Sequence, residues 1–250
     1  MARTKLIAII GGEGANDEIR TEAGKSTLVE ETARRFDELG METTIHWPAK
    51  DIKDFPEPGT FDAIVIGGSK LNIRDEDLER FTWMRRLLDF IKENHGKVPM
   101  LGICFGHQAI ARSFGVKVKQ FGPDMVYEAG FSSVHLTDEG RKDALFAGMP
   151  DEFDALFSHF YYVPEPPEGG IVLLTGKNPG TYAFRLGERT WGVQYHPEIS
   201  VPTVRNGVEE RRKMLEAKGV DVDRILATLS SGPRRDHLVL ANFAEIVKKS

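Results

Sequence analysis

The 250-residue chain carries 33 Lys+Arg against 38 Asp+Glu, a formal charge of −5, so it lacks the broad basic surface that nucleic acid or an anionic membrane selects. Its single cysteine excludes an intramolecular disulfide and any multi-cysteine metal site, and fits a reducing compartment. At this length a sizeable core is expected, and the even spread of apolar segments points to one domain over 1–250.

Leu6–Ile10 reads as a buried strand closed by Gly11-Gly12, too short to span a bilayer and without a small-residue cleavage pattern. A cytoplasmic protein is expected. Ala23-Gly-Lys-Ser-Thr27 ends like a phosphate-binding loop, but Ile19 occupies the position of its first glycine. An ordinary helix start capped by Ser26 or Thr27 is therefore expected. Leu28, Thr32, Phe36 and Leu39 then mark one face of a helix over 27–39 that Gly40 stops. Strands follow over 41–47 and 61–66, the second ending in Gly67-Gly68, where backbone N–H groups are free to approach a ligand or simply turn the chain. Leu78, Phe81, Leu88 and Ile91 predict one amphipathic helix from Asp75 to Glu93.

The stretch Val98–Gly115 runs from an apolar strand ending at Ile103, through Cys104, into a helical pattern with Ala109, Ile110 and Phe114. Gly102 and Gly106 flank the cysteine as in a G-x-nucleophile-x-G elbow. A thiol at the start of a helix faces free N–H groups that favour the thiolate. By itself, a lone cysteine there reads equally as a small buried hydrophobe. Beyond it, short β-rich runs over 116–120, 131–136, 171–175, 182–186 and 190–195 predict a second half richer in antiparallel strands. Pro164–Gly170 is a rigid connector, 206–229 is charged and helical with a break at Gly219, and a last helix runs from a cap at Asp236 to Lys248.

The base that Cys104 needs lies in Trp191-Gly-Val-Gln-Tyr-His-Pro-Glu-Ile199, where His196 and Glu198 are two residues apart. On extended backbone, i and i+2 face one side, so the carboxylate can orient the imidazole, and Pro197 holds the backbone extended between them. A nucleophile, a base and an orienting carboxylate are the requirements of acyl transfer.

Gly102-Ile-Cys-Phe-Gly-His-Gln108 and Gly192-Val-Gln-Tyr-His-Pro-Glu198 resemble the two signature segments of class I (triad) glutamine amidotransferase domains, closest to the amidotransferase part of GMP synthases. Gly67-Gly68, Glu128-Ala-Gly130, Ser158-His159 with Val163, and Asn242-Phe243 extend the resemblance from about Ile64 to the C-terminus. It implies an α/β fold, flavodoxin-like, with a mostly parallel central sheet, helices on both faces and a small antiparallel region in the second half. It implies a triad of Cys104, His196 and Glu198, an oxyanion hole from the backbone N–H groups of Gly68 and Phe105, and substrate contacts from Gln108 and from the backbone around Ser158, Phe160 and Tyr161. No cofactor or metal is implied. His107 and His159 carry no derived role and read as structural, while His95 and His237 read as surface residues.

Three departures bear on function. The chain has no room for a synthetase domain, so released ammonia would serve a separate synthase chain, or the protein hydrolyses γ-glutamyl compounds on its own account. The segment over about 200–235 is longer than a minimal domain needs and reads as a helical insertion. Phe160 and Ser69-Lys70 depart from the family pattern beside the expected pocket. The first expectation is a free-standing hydrolase of glutamine or a related γ-glutamyl compound, acting through a γ-glutamyl thioester on Cys104. The alternative is a glutaminase subunit passing ammonia to a separate chain such as a GMP synthase, and the third reading is a non-catalytic binding protein. A small molecule is the expected partner, with neither nucleic acid nor membrane.

Overall fold

The apolar runs that read as buried strands pair with one another in the computed structural model, which describes residues 4–12, 19–21, 24–122, 127–229 and 234–250. The chain begins with β1 (Leu6–Ile10), the short β2 (Ile19–Thr21) and β3 (Gly24–Ser26), α1 (Leu28–Glu38), β4 (Glu42–His46), β5 (Ala63–Ile66), α2 (Asp75–Arg80) and α3 (Thr82–Asn94). Next come β6 (Met100–Ile103), α4 (Phe105–Ser113), β7 (Lys119–Gln120), β8 (Glu128–Leu136), α5 (Asp138–Lys142), β9 (Glu152–His159), β10 (Tyr161–Tyr162) and β11 (Gly170–Gly176). The chain closes with β12 (Ala183–Leu186), β13 (Thr190–Val193), α6 (Val201–Glu210), α7 (Arg212–Ala217), α8 (Val222–Thr228) and α9 (Leu238–Lys249).

Nine strands form one sheet in the order β4-β1-β5-β6-β13-β12-β11-β8-β9. From β4 to β13 the pairing is parallel, and from β13 to β9 it is antiparallel. The antiparallel region expected for the second half thus continues the central sheet. Parallel strands need cover on both faces, and period-2 alternation supplies it. Ile7, Ile9, Val65, Leu101 and Ile103 pack with α1 and α9 on one face. Ala8, Ile10, Ile64, Ile66 and Met100 pack with α3 and α4 on the other. Phe243 of α9 lies edge-on to Phe36 of α1 and Trp191 of β13, and Asn242 Nδ2 holds the carbonyls of Leu145 and Ala147 at 2.9 Å each.

Some sequence expectations change in detail. Ala23, inside the incomplete phosphate-loop pattern, lies outside the described residues, but Thr27 caps α1 through a capping box. Its Oγ1 accepts from Glu30 N at 3.2 Å while its own N–H donates to Glu30 Oε2 at 2.7 Å. The single helix expected over 75–93 is broken at Phe81, whose extended backbone (φ −118°, ψ 97°) packs the ring against the apolar cluster. Asp236 is not the cap of the last helix. It is fully buried and paired with Arg234 at 2.7 Å, leaving His237 at the helix start without a side-chain cap. His95, expected on the surface, is partly buried, with Nδ1 2.9 Å from Thr190 Oγ1, whereas His237 is exposed.

The segment after β13 forms three helices, one more than expected, because the chain breaks at Arg211 as well as near Gly219. They are docked onto the body. Val204, Val208, Leu215 and Val222 share an apolar cluster with Leu28 and Leu156. Gly130 of β8 approaches α8 so closely that a Cβ there would lie 2.1 Å from Thr228 Oγ1. Among the described residues no helix is long and apolar enough to cross a membrane.

Candidate active site

β5, β6 and β13 run parallel and end at one edge of the sheet, the edge where open α/β sheets receive ligands. Gly67-Gly68, Cys104 and the segment 194–198 emerge there side by side. Cys104 lies at the turn between β6 and α4, and its N–H donates to Val193 O at 2.9 Å. Its φ of 49° makes it the only non-glycine residue with positive φ among the described residues, a strained conformation that persists only when its surroundings impose it. Those surroundings are two backbone contacts. A Cβ on Gly106 would lie 2.0 Å from Ile66 O of β5, and one on Gly102 would lie 2.4 Å from the Gly106 carbonyl. The flanking glycines therefore serve close backbone packing that pins the elbow.

His196 Nδ1 is 2.7 Å from Glu198 Oε1, and the Cys104 sulfur stands near enough to favour the protonated imidazole. Cys104, His196 and Glu198 are all buried, Glu198 completely. Burial lowers the His196 pKa, but the Glu198 carboxylate and the Cys104 sulfur outweigh it and hold the imidazole well above its ordinary value. The His-Pro-Glu turn is fixed through its carbonyls. Arg234 donates to His196 O at 2.9 Å and also to Ile199 O, and Arg35 Nε donates to Glu198 O at 3.1 Å. The Arg234 partner Asp236 accepts from Leu156 N at 3.3 Å, and Leu156 O accepts from His196 N at 2.8 Å, so the turn is tied to β9 as well. A thiol, an imidazole and a carboxylate in this order can carry nucleophilic acyl transfer.

Gly68 stands beside this group: a Cβ there would lie 3.0 Å from His196 Cε1. Phe105 is the first residue of α4, where backbone N–H groups have no helical partner. Gln108 is buried, and its Nε2 donates to Tyr161 O at 2.8 Å and to Gln194 Oε1 at 3.2 Å. Gln194 Nε2 in turn lies 3.5 Å from Cys104 Sγ. Sequence reasoning passed over Gln194, although its place in the same segment, two residues before His196, was the available signal.

A cavity of about 190 Å³ opens beside His196, lined by Leu28, Ser69, Lys70, Ser158, and Thr203, Gly207, Glu210 and Arg211 of the added helices. Of the residues expected to contact substrate, Ser158 lines it directly. Phe160 and Tyr161 turn their side chains elsewhere: Phe160 packs on the Tyr127 ring at 4.4 Å, and Tyr161 lies under Arg74 with its hydroxyl on Gln120 at 3.2 Å.

The two neighbouring histidines are buried as structural residues. His159 Nε2 lies 3.2 Å from Glu128 Oε2, bridging β9 to β8, and its Nδ1 lies 2.8 Å from Tyr161 O. Burial raises the Glu128 pKa, but His159, Asn178 and Tyr182 together bring it below the usual carboxylate value. His107 is fully buried against Phe184 and Gly192, and burial pushes its pKa down to about 3.

Residues 23–213 match the model of the class-I glutamine amidotransferase family. One subunit of the glutamine-hydrolysing GMP synthase of Sulfolobus acidocaldarius is 32% identical over 162 residues, covering 64% of this chain and 78% of that protein. A glutamine-hydrolysing GMP synthase of Porphyromonas gingivalis is 33% identical over 137 residues, and the match spans 54% of this chain but 24% of that protein. In fold alone, the crystal structure of a glutamine amidotransferase from Thermotoga maritima is similar over 99% of this chain and 100% of its own, with a TM-score of 0.77 and 19% identity.

Proposed function

The chain belongs to the class-I glutamine amidotransferase family, and from that premise we propose that it hydrolyses the γ-carboxamide of glutamine through a thioester on Cys104 and passes the ammonia to a separate synthase chain. The observation that carries the chemistry is the buried run Cys104–His196–Glu198 at the end of two paired parallel strands. The sequence alone placed a free-standing hydrolase first. The likeness to one subunit of a GMP synthase, over 78% of that protein's length, supports the two-chain reading better.

His196 accepts the thiol proton, held ready by the carboxylate that raises its basicity. The Cys104 sulfur then attacks the γ-carbonyl carbon, and the carbonyl electron pair moves onto oxygen. The N–H groups of Gly68 and Phe105 stabilise that oxyanion, and loss of one such donor costs on the order of 2.7–4 kcal/mol of transition-state stabilisation. Collapse breaks the C–N bond as the imidazolium protonates the leaving amide nitrogen, which departs as ammonia. In the second half His196 takes a proton from water, whose oxygen attacks the thioester. Glutamate leaves, and the proton returns to sulfur. Gln108 and Gln194 keep the sulfur's surroundings polar and fixed, and Ser158 faces the substrate.

The test is incubation of the purified protein and its Cys104→Ala variant with L-glutamine, following glutamate release and the protein mass. We expect a γ-glutamyl adduct and turnover from the native chain only. A kcat loss on the order of 10⁶-fold is typical when the nucleophile of a triad is removed. Addition of a synthase chain with its acceptor substrate should raise glutaminase turnover. Unchanged turnover in the variant would rule out the thioester mechanism, and indifference to any synthase chain would return the free-standing hydrolase to first place.

A further inference from the structure

We infer that Arg211, at the break between α6 and α7, binds the α-carboxylate of the substrate, so that the site selects a γ-glutamyl group with a free amino-acid end. The inference rests on the proposed function and adds to it the group that recognises the part of the substrate farthest from the reacting carbonyl.

Four observations lead there. The helix interrupts at Arg211 (φ −98°, ψ 4°), so consecutive arginines point different ways. Arg212 turns outward to three carboxylates, those of Glu209, Glu216 and Asp223, at 2.8, 3.1 and 2.9 Å. Arg211 has no carboxylate within 4.0 Å among the described residues. Its Nε is anchored on Gly207 O at 2.8 Å, its plane lies over the Tyr127 ring, and its Nη2 reaches Ser158 Oγ at 3.3 Å across the cavity that His196 also lines.

A partly buried guanidinium without a counter-ion, held by a carbonyl and an aromatic face, is pre-organised to receive a planar anion. The resemblance assigns the substrate to Gln108 and the backbone around Ser158 to Tyr161, and no side chain among these brings a guanidinium or ammonium to a carboxylate. Gln108 spends its amide N–H groups on Tyr161 O and Gln194, and Phe160 and Tyr161 face away from the cavity. Glu210, beside Arg211 on the same lining and without a cation within 4.0 Å among the described residues, supplies the complementary charge for an α-ammonium group. The three added helices thereby contribute a wall of the site, and their apolar cluster with Leu28 and Leu156 keeps that wall in place.

The experiment compares the native chain, Arg211→Gln and Arg211→Lys on L-glutamine and on 4-aminobutanamide, which has the same amide and amine but no carboxylate. A charge-assisted contact of this kind predicts that Arg211→Gln raises KM for glutamine roughly 10- to 100-fold while kcat at saturation stays within about threefold. Arg211→Lys should recover part of the loss, and turnover of 4-aminobutanamide should not respond to either substitution. Because Arg211 also braces Gly207 O, a purely structural role would depress both substrates together, and that outcome overturns the inference. So does a glutamine KM unchanged in Arg211→Gln. Both leave the glutaminase reading standing, whereas a native chain that releases ammonia from neither compound removes that reading and this inference with it.

Discussion

The two sides of the pocket are built from different materials. On the catalytic side, β5, β6, β13 and the start of α4 press backbone against backbone, with Gly102 and Gly106 admitting contacts that any Cβ would block. On the substrate side, β9 and the helices α6 to α8 meet through side chains, and charged residues such as Glu210 and Arg211 face the opening. Under the proposed mechanism the first arrangement fixes the geometry of bond breaking, and its glycines leave no space for a Cβ. The second can exchange side chains without moving the elbow, which is how one chemistry serves different substrates.

The sharpest way to separate the two sides is to alter charge on the catalytic one while keeping its shape. Glu198→Gln retains the volume but removes the carboxylate that, against the opposing effect of burial, holds the His196 pKa up. By the behaviour of other triads, kcat should fall about 10⁴-fold. The pH profile carries the sign. In the native chain the imidazolium that donates to the leaving nitrogen is lost as pH rises through the His196 pKa, so the alkaline limb of kcat/KM is expected well above the range of a free imidazole. In Glu198→Gln any residual activity should lose its alkaline limb at lower pH. An unmoved limb would show that Glu198 does not set the imidazole's proton affinity.

A second test asks how dry the catalytic side is. His107 in α4 is fully buried, and burial pushes its pKa down to about 3, against about 6.5 in the unfolded chain. A group with a depressed pKa contributes stability above its unfolded value and loses it as pH falls towards the folded one. The loss at pH 5 relative to pH 7 should therefore be about 2 kcal/mol. Urea unfolding of the native chain and of His107→Leu at both pH values measures it. The native chain should weaken more by about that amount, and equal acid sensitivity would mean that water reaches His107.

The same division governs what the sequence makes legible. The elbow is written locally, since Gly102, Cys104 and Gly106 follow one another within one turn; His196 and Glu198 are also close in sequence, but they pair in the bend after β13 and not on extended strand as expected. β1, β5 and β6 of the parallel core are legible as apolar runs, whereas β4, Glu42–His46, is mostly polar. The strand β9 was not foreseen, although Phe153 and Ala155 alternate with Glu152 and Asp154, because its partner β8 is set by long-range pairing that no local pattern displays. The substrate side fails similarly: Ser158, Arg211 and Tyr127 come from separated segments, and only folding shows that they meet. Phe160 lies next to the site in sequence, yet its ring packs on Tyr127, which sequence position alone does not reveal.

Phe160 accordingly gives the smallest expected effect and the finest discrimination between the two sides. If departure from the family pattern at this position reshapes the substrate pocket, Phe160→Leu should change the KM for glutamine. The ring instead lies 4.4 Å from that of Tyr127, within the apolar cluster that braces the added helices, and it does not line the cavity. Losing an aromatic pair of this kind costs about 0.5–1.5 kcal/mol beyond the buried area. The variant should therefore unfold at lower urea while its KM stays within about twofold. Tyr127 also shares Ser158 Oγ with Arg211, at 2.6 and 3.3 Å, so a KM that rises would mean that the ring holds Tyr127, and through it Ser158 and Arg211, in register with the substrate. The substrate side would then be as rigidly coupled as the catalytic one, and the division between them would fall at this residue.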